Sequence, residues 1–332
     1  MTFGGQGAPG RLRARPPGRT TMKTKYQDAW NRWRWLLPAM AIVVGLGHSC
    51  GPVSATTRLV PGDYPTIQSA IDSAAAGDTV LLSPGTYRGP GNRDIDWWGK
   101  SLVVKSSNGP QQTIIDCEYL GRGFYVHDAY RGESSGSIEG LTIRNGWATH
   151  ESPDLGRGGG IFCASSIAIM DCRIEHCWAN SDGGGLYLLI FDGIVDRCFF
   201  FDNYAQYGGG IFFGGGHGLI TNCIIVENVA FAGGGICFGG AWENRLFGST
   251  VVGNAANGGG GGGISAFTHL LLERCIVWDN CTIAHGDEIY GHGDFLGCDI
   301  DRSGVYTSGV VTYDENCIDA DPMFCLDIPC GA

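Results

Sequence analysis

The residues best placed to do chemistry recur in columns. Short apolar runs end in Asn, or once in Cys: Leu141–Asn145, Arg173–Cys177, Phe199–Asn203, Ile224–Asn228, Thr250–Asn254 and Ile276–Asn280. Directly before the last residue of five of them sit His176, Asp202, Glu227, Gly253 and Asp279. If the runs are stacked strands, Asp202 and Glu227 lie one rung apart, near the roughly 5 Å separation of a retaining glycosidase pair. Carboxylates that close would raise one pKa or recruit a hard cation such as Ca²⁺. Asp202 and Glu227 are therefore the candidate catalytic pair and the candidate calcium ligands. The competing reading has both side chains diverging into solvent at a turn.

The strands before those acids are apolar on both faces. If the Cys column five residues before the Asn column points inward, Ile174, Phe200, Ile225, Val251 and Val277 follow it into the core. Phe199, Phe201, Ile224, Val226, Val252, Ile276 and Trp278 are then left facing outward, a candidate binding face on which aromatic platforms would suit sugar rings. Burial of this face under a loop or the N-terminal segment is the alternative.

Other columns read as structure. Asn145, Asn203, Asn228, Asn254 and Asn280 suit strand-ending turns, where stacked amides bond to one another and to the backbone. Cys172, Cys198, Cys223 and Cys275 occupy one column, with Ser249 in the same place of the intervening rung. Stacked residues have parallel Cβ vectors, poor geometry for a disulfide, so these thiols are expected to pack as a buried ladder. Cys317, Cys325 and Cys330 lie close together in a loop-like tail, where a disulfide is more credible. Gly216-His-Gly218 and Gly291-His-Gly293 are weak signals in a chain with 56 Gly.

The element that must carry these columns is a coil. Gly-Gly-Gly followed by Ile or Leu begins at Gly158, Gly183, Gly208, Gly233 and Gly261, in steps of 25 residues three times and 28 once. A period in the twenties with strand residues is the signature of a β-solenoid. The fold expected is all-β, a right-handed parallel β-helix of about 25 residues per coil with an N-terminal capping helix. That helix is read from Ile67, Ala70, Ile71 and Ala74 on one face, Thr66 as N-cap and Gly77 as the stop. It would cover the open end of the first coil. Four regions follow: 1–55 as upstream extension and signal peptide, 56–157 as cap and first coils, 158–303 as regular repeats, and 304–332 as a C-terminal tail that looks truncated.

The stretch through Tyr87 resembles the start of pectin-lyase-like right-handed parallel β-helix proteins. The repeats are similar to those of polymorphic outer-membrane proteins, through Gly159-Gly-Ile-Phe162, Gly184-Gly-Leu-Tyr187, Gly209-Gly-Ile-Phe212 and Phe200-Phe-Asp-Asn203. The resemblance covers roughly residues 58 to 301 and implies the fold. One fold hosts lyases, hydrolases, epimerases and non-catalytic adhesins, so it does not choose a function. The Asn-Thr-Asp and paired-Asp motifs that accompany Gly-His-Gly in polygalacturonases are missing here.

Lys23, Lys25, Arg32 and Arg34 precede an apolar stretch from Leu36 to Gly47, and Val53-Ser54-Ala55 offers small residues for cleavage. That layout predicts a secretory leader cut near Ala55 and a secreted or cell-surface protein, with Met22 a candidate start. No later segment is long and apolar enough to cross a membrane. Residues 56–332 hold 14 Lys and Arg against 32 Asp and Glu. Such a surface repels nucleic acid, and would repel a polyuronate unless cations bridged the two. The expectation is a non-catalytic binding or adhesive module for carbohydrate or another cell-envelope component. A polysaccharide lyase, glycoside hydrolase or epimerase is the alternative. Residues 150–157 and 287–301 are the loops where further chemistry could sit.

Overall fold

The computed structural model describes residues 55–127, 135–152, 154–240, 244–307 and 309–322. The leader read upstream of Ala55, and Cys325 and Cys330, lie outside the described residues. The repeats stack into an all-β parallel solenoid of about 9 coils with about 26 residues per turn. Within one coil the chain passes through sheet I (Ile194–Asp196), sheet II (Phe199–Phe201), sheet III (Tyr204–Tyr207) and sheet IV (Ile211–Phe213). These sheets contain eleven, nine, six and nine strands.

The inward phase follows the Cys column. Ile174, Phe200, Ile225, Val251 and Val277 are fully buried and stack in register on sheet II. Burying each such side chain contributes roughly 1.5–3 kcal/mol against leaving it in water. Sheet III is lined inside by Ala148, Ala179, Ala205, Ala230 and Ala256, while Trp147, Trp178 and Tyr204 point out from the same strands. Small residues inside let this wall close on the core, and the large ones are left to solvent.

Left-handed turns fix the corners. Asn145, His176, Asp202, Glu227, Gly253 and Asp279 all have φ between 49° and 63° at the exit from sheet II. Asn, Asp and Gly are the residues that tolerate this conformation best, which accounts for much of the acidic column. At the approach to sheet IV, Gly208 has φ +64° and a Cβ there would lie 2.2 Å from the Ile211 carbonyl, so only glycine fits.

Directly after the turn residues Asp202, Glu227, Gly253 and Asp279 stands a buried Asn. The Asn203, Asn228 and Asn254 amides each donate to the Oδ1 of the next Asn at 2.9 Å, and to carbonyls of the preceding coil. The ladder ends on Glu288, whose carboxylate accepts from both the backbone and the amide of Asn280. Asn145 is not part of it. The pairing of Arg144 with Glu175 places Asn145 opposite His176, one position out of the alignment expected from sequence. Its amide donates instead to Asp116 at 2.8 Å.

Cys172, Cys198, Cys223 and Cys275 are buried free thiols whose S–H groups donate to carbonyls of the preceding coil, and Ser249 fills the gap. Cys298 and Cys317 extend the column: the Cys275 backbone donates to Cys298 Sγ, and that of Cys298 to Cys317 Sγ. Cys317 is therefore a buried, unbridged member of the ladder and not half of a tail disulfide. Strands Val305–Tyr306 and Val311–Tyr313 carry sheets IV and I beyond Gly304.

Helix α1 (Ile67–Ser73) starts at Thr66, whose side chain and Ser69 form a capping box. It ends at Ser73 with Ala74 as C-cap, ahead of Gly77. Ile67, Ala70 and Ile71 enter the core over the first coil. Among the described residues no helix is long and apolar enough to cross a membrane.

Candidate functional site

The residues singled out on sheet II do not converge. Asp202 and Glu227 sit on adjacent coils, but the Asp202 carboxylate turns to His176, whose Nδ1 is 2.8 Å away in solvent. Among the described residues no group of three or more His, Cys, Asp and Glu is placed to hold a metal ion. Asp202 and Glu227 would supply two carboxylates of the six to eight oxygens that Ca²⁺ takes. Of the apolar face, Ile224 is exposed, Val226 is buried, and Phe199, Phe201, Val252, Ile276 and Trp278 are half-buried. Arg173 covers part of it, with its guanidinium 4.4 Å from the Phe199 ring centre. His217 of the first Gly-His-Gly lies 3.3 Å from Asp192 at the surface.

A groove of about 960 Å³ lies instead on the first coils. Its floor comes from sheet IV, where Ile95–Asp96 pairs with Phe124–His127. Ile95, Phe124 and Val126 point into the core, so Asp96, Tyr125 and His127 face the groove. Helix α1 pins this edge. Gln68 accepts from the Asp96 backbone N–H at 2.8 Å, donates to its carbonyl at 2.9 Å, and also donates to Asp72. Trp98, Tyr119, Leu120 and Trp147 form the exposed walls. Gly121 makes room for Asp94, whose carboxylate oxygen a Cβ there would meet at 2.1 Å.

Four non-glycine residues around the groove are left-handed: Asp94, Trp98, Glu118 and Tyr119, with φ from 50° to 58°. For the bulky Trp and Tyr this costs on the order of 1–2 kcal/mol each. The surrounding hydrogen bonds hold them there, as where the Trp98 N–H donates to the Asp96 carboxylate at 2.9 Å.

Comparison with known proteins places this architecture. The family model of the right handed beta helix region matches residues 91–242. The chain is a right-handed parallel β-helix. Solved structures to which the chain is similar include a pectate lyase (15% identity, TM-score 0.47, covering 81% of this chain and 80% of that one). A mannuronic acid specific polysaccharide family 6 lyase from human gut microbiota aligns at 16% identity and TM-score 0.49, covering 74% and 58%. Pectin methylesterase from carrot aligns at 14% and 0.44, covering 83% and 91%. No curated protein matches the chain in sequence.

Within the β-helix, charge in the groove is mostly committed. Arg122 is buried in a two-pronged ion pair with Asp154, and its backbone N–H holds Asp94 at 3.0 Å. Arg93 pairs with Glu118 at 2.8 Å. Burial raises Asp96 above the usual carboxylate range, partly offset by the Trp98 N–H and His127. His127 Nδ1 lies 3.4 Å from Asp96 and has no well-formed hydrogen bond of its own. The arrangement offers stacking platforms, carboxylates that accept from hydroxyls, and one carboxyl biased towards its protonated form beside an imidazole.

Sequence reading passed over these residues because they fall outside the repeat. A signal was present in Asp94-Ile-Asp96-Trp97-Trp98: two carboxylates at alternate positions share one strand face, beside paired aromatics. The flagged loop 150–157 does reach the site through Ser152 and through Asp154, which orders Arg122.

Proposed function

We propose that this β-helix is an exported carbohydrate-binding protein whose ligand lies in the groove over the first coils. The observation that carries the reading is Trp98, Tyr119 and Trp147 standing exposed around Asp94 and Asp96 in one concave surface. Exposed rings at strained backbone positions are costly to maintain, and sugar rings stack on such platforms while carboxylates take their hydroxyl hydrogens. A second reading has support from one contact. Asp96, raised by burial and 3.4 Å from His127, is a carboxyl–imidazole pair suited to general acid–base cleavage of a glycosidic bond.

A polysaccharide panel on the full chain tests both, recording retention on immobilised glycans together with release of reducing ends or unsaturated products. Retention that Trp98→Ala weakens about tenfold, without product, supports the binding module. Product release abolished by Asp96→Asn supports the enzyme. Retention or cleavage untouched by both substitutions removes the groove from consideration.

A further inference from the structure

The groove does not end at Trp147. That residue pairs in register with Trp178 on the next coil of sheet III, and Trp178 with Tyr204 on the one after. The Trp178 and Tyr204 rings are 4.8 Å apart between centres. On the next strand Val229 is the residue paired with Tyr204, and Phe231 stands two positions along from it on the same outer face, its ring 6.2 Å from Tyr207. Trp147, Trp178, Tyr204 and Phe231 are 38–49% exposed, although each stands on a strand whose inward neighbour is a buried alanine. A second depression of about 430 Å³ lies here, with Trp178, Tyr204 and Phe231 as its apolar lining and Asn180, Gln206 and Asn257 as amides. Segment 147–152 is the ridge shared by both: Trp147, Thr149 and Ser152 border the first and His150 the second. The track therefore crosses three coil steps beyond Trp147's own position, room for roughly three further pyranose rings given the ~4.8 Å strand spacing.

The charge along this path bears on what can occupy it. Arg93 faces Glu118, and Arg122 faces Asp154 and, at 3.9 Å, Asp94, while Asp72, Asp94 and Asp96 line the groove with carboxyl groups. The polar lining of the second depression beyond His150 is uncharged amide. A chain of uronates would bring its own carboxylates against Asp72 and Asp94 with no free guanidinium to meet them.

From this geometry we infer that the ligand is an extended, uncharged polysaccharide, running along the solenoid axis from Trp98 over the sheet III aromatics. The inference rests on the groove's being a glycan site, and the test separates the two. Calorimetric titration of the full chain uses neutral cello-, xylo- and manno-oligosaccharides of one to six rings, and oligogalacturonates of the same lengths. Affinity for at least one neutral series rises with each ring up to about five. The Trp178→Ala/Tyr204→Ala variant loses about tenfold or more on the longest oligomer and little on the disaccharide, flattening the length dependence. Ile224→Ala, on sheet II, leaves the series unchanged, and thermal melts confirm that each variant folds. Tighter binding of uronates than of neutral chains overturns the inference. So does a Trp98→Ala loss with no effect of the sheet III pair, which would leave a short-ligand groove intact. Binding of neither series sinks the groove reading itself.

Discussion

The regular coils and the irregular first coils use the same backbone plan to opposite ends. Between Gly158 and Asp301 each turn repeats a left-handed residue outside and a buried Asn or Cys inside, and polar side chains there mostly satisfy the chain itself. Over residues 91–127 the chain instead gathers Trp98 and Tyr119, both exposed and left-handed, around the buried Asp96 in one concave surface. Repetition builds a rigid rod, and departures from repetition build a site on it. Stability and ligand capture should therefore map to different residues.

The largest expected effect is in the regular region. Asn228 Oδ1 accepts from both the backbone and the amide of Asn203, while its own amide bonds Phe200 O, Val226 O and Asn254. Asn228→Ala strands several buried groups at once, at a cost of about 3–5 kcal/mol. A thermal melt should fall by roughly 10 °C, with glycan affinity of the folded fraction unchanged. An equal loss of affinity at a temperature where the variant is folded would break the separation of the two regions.

Glu288 gives the next effect, with a defined pH dependence. Burial raises its pKa to about 8, although the Asn280 bonds act the other way. In the unfolded chain it titrates near 4.3, so between about pH 4.3 and 8 the folded state holds the extra proton. Stability from this group is full below the lower value and is lost as pH rises through the upper one. Glu288→Gln keeps an acceptor for the Asn280 amide and removes the titration. Its unfolding free energy should exceed that of the parent at pH 9 by about 2–4 kcal/mol, seen as a higher melting temperature, and approach it at pH 5. Parallel curves at both pH values would show that Glu288 is not the titrating group. Asp116 works in the opposite sense. Burial would raise it, but Asn145, Arg88 and Arg144 hold it at about 2. Its contribution is present above about pH 4 and lost on acidification towards 2.

Trp98→Ala marks the first coils in turn. It should weaken glycan retention about tenfold, roughly 1.4 kcal/mol, while the melt moves by less than a degree or two because the ring is 68% exposed. A drop in melting temperature as large as that of Asn228→Ala would mean the ring is structural.

How much was legible follows the same division. The glycine triplets, the Asn ladder from Asn203 to Asn280 and the inward Cys phase were readable because each is a periodic demand of backbone geometry. Asn145 was misplaced by one residue because the first coils do not keep the period, and only the pairing with Arg173–Glu175 sets its register. Cys298 and Cys317 were hidden for the same reason, since the coils that hold them are shorter than 25 residues. The groove was least legible. It depends on which aromatic side chains from Trp98 to Trp147 meet across coils of uneven length, and no local pattern states that.

The acidic column sharpens the comparison through the smallest effect. Asp202 and Glu227 look like a catalytic pair in sequence, yet their φ angles of 49° and 55° match those of Asn145, His176 and Asp279 at the same corner. Gly253 takes the corner at 63° with no carboxylate at all. A column that accepts Asn, His, Asp, Glu and Gly is selected by a left-handed turn more than by proton chemistry. Asp202→Asn/Glu227→Gln should leave glycan retention, and any product release, within about twofold of the parent. Glu227→Gly should hold or raise stability by about 0.5–1 kcal/mol, because a long side chain gives up a conformation that glycine adopts freely. Loss of activity in the double variant, with the melt unchanged, would return the chemistry to the regular coils and make the corner a site.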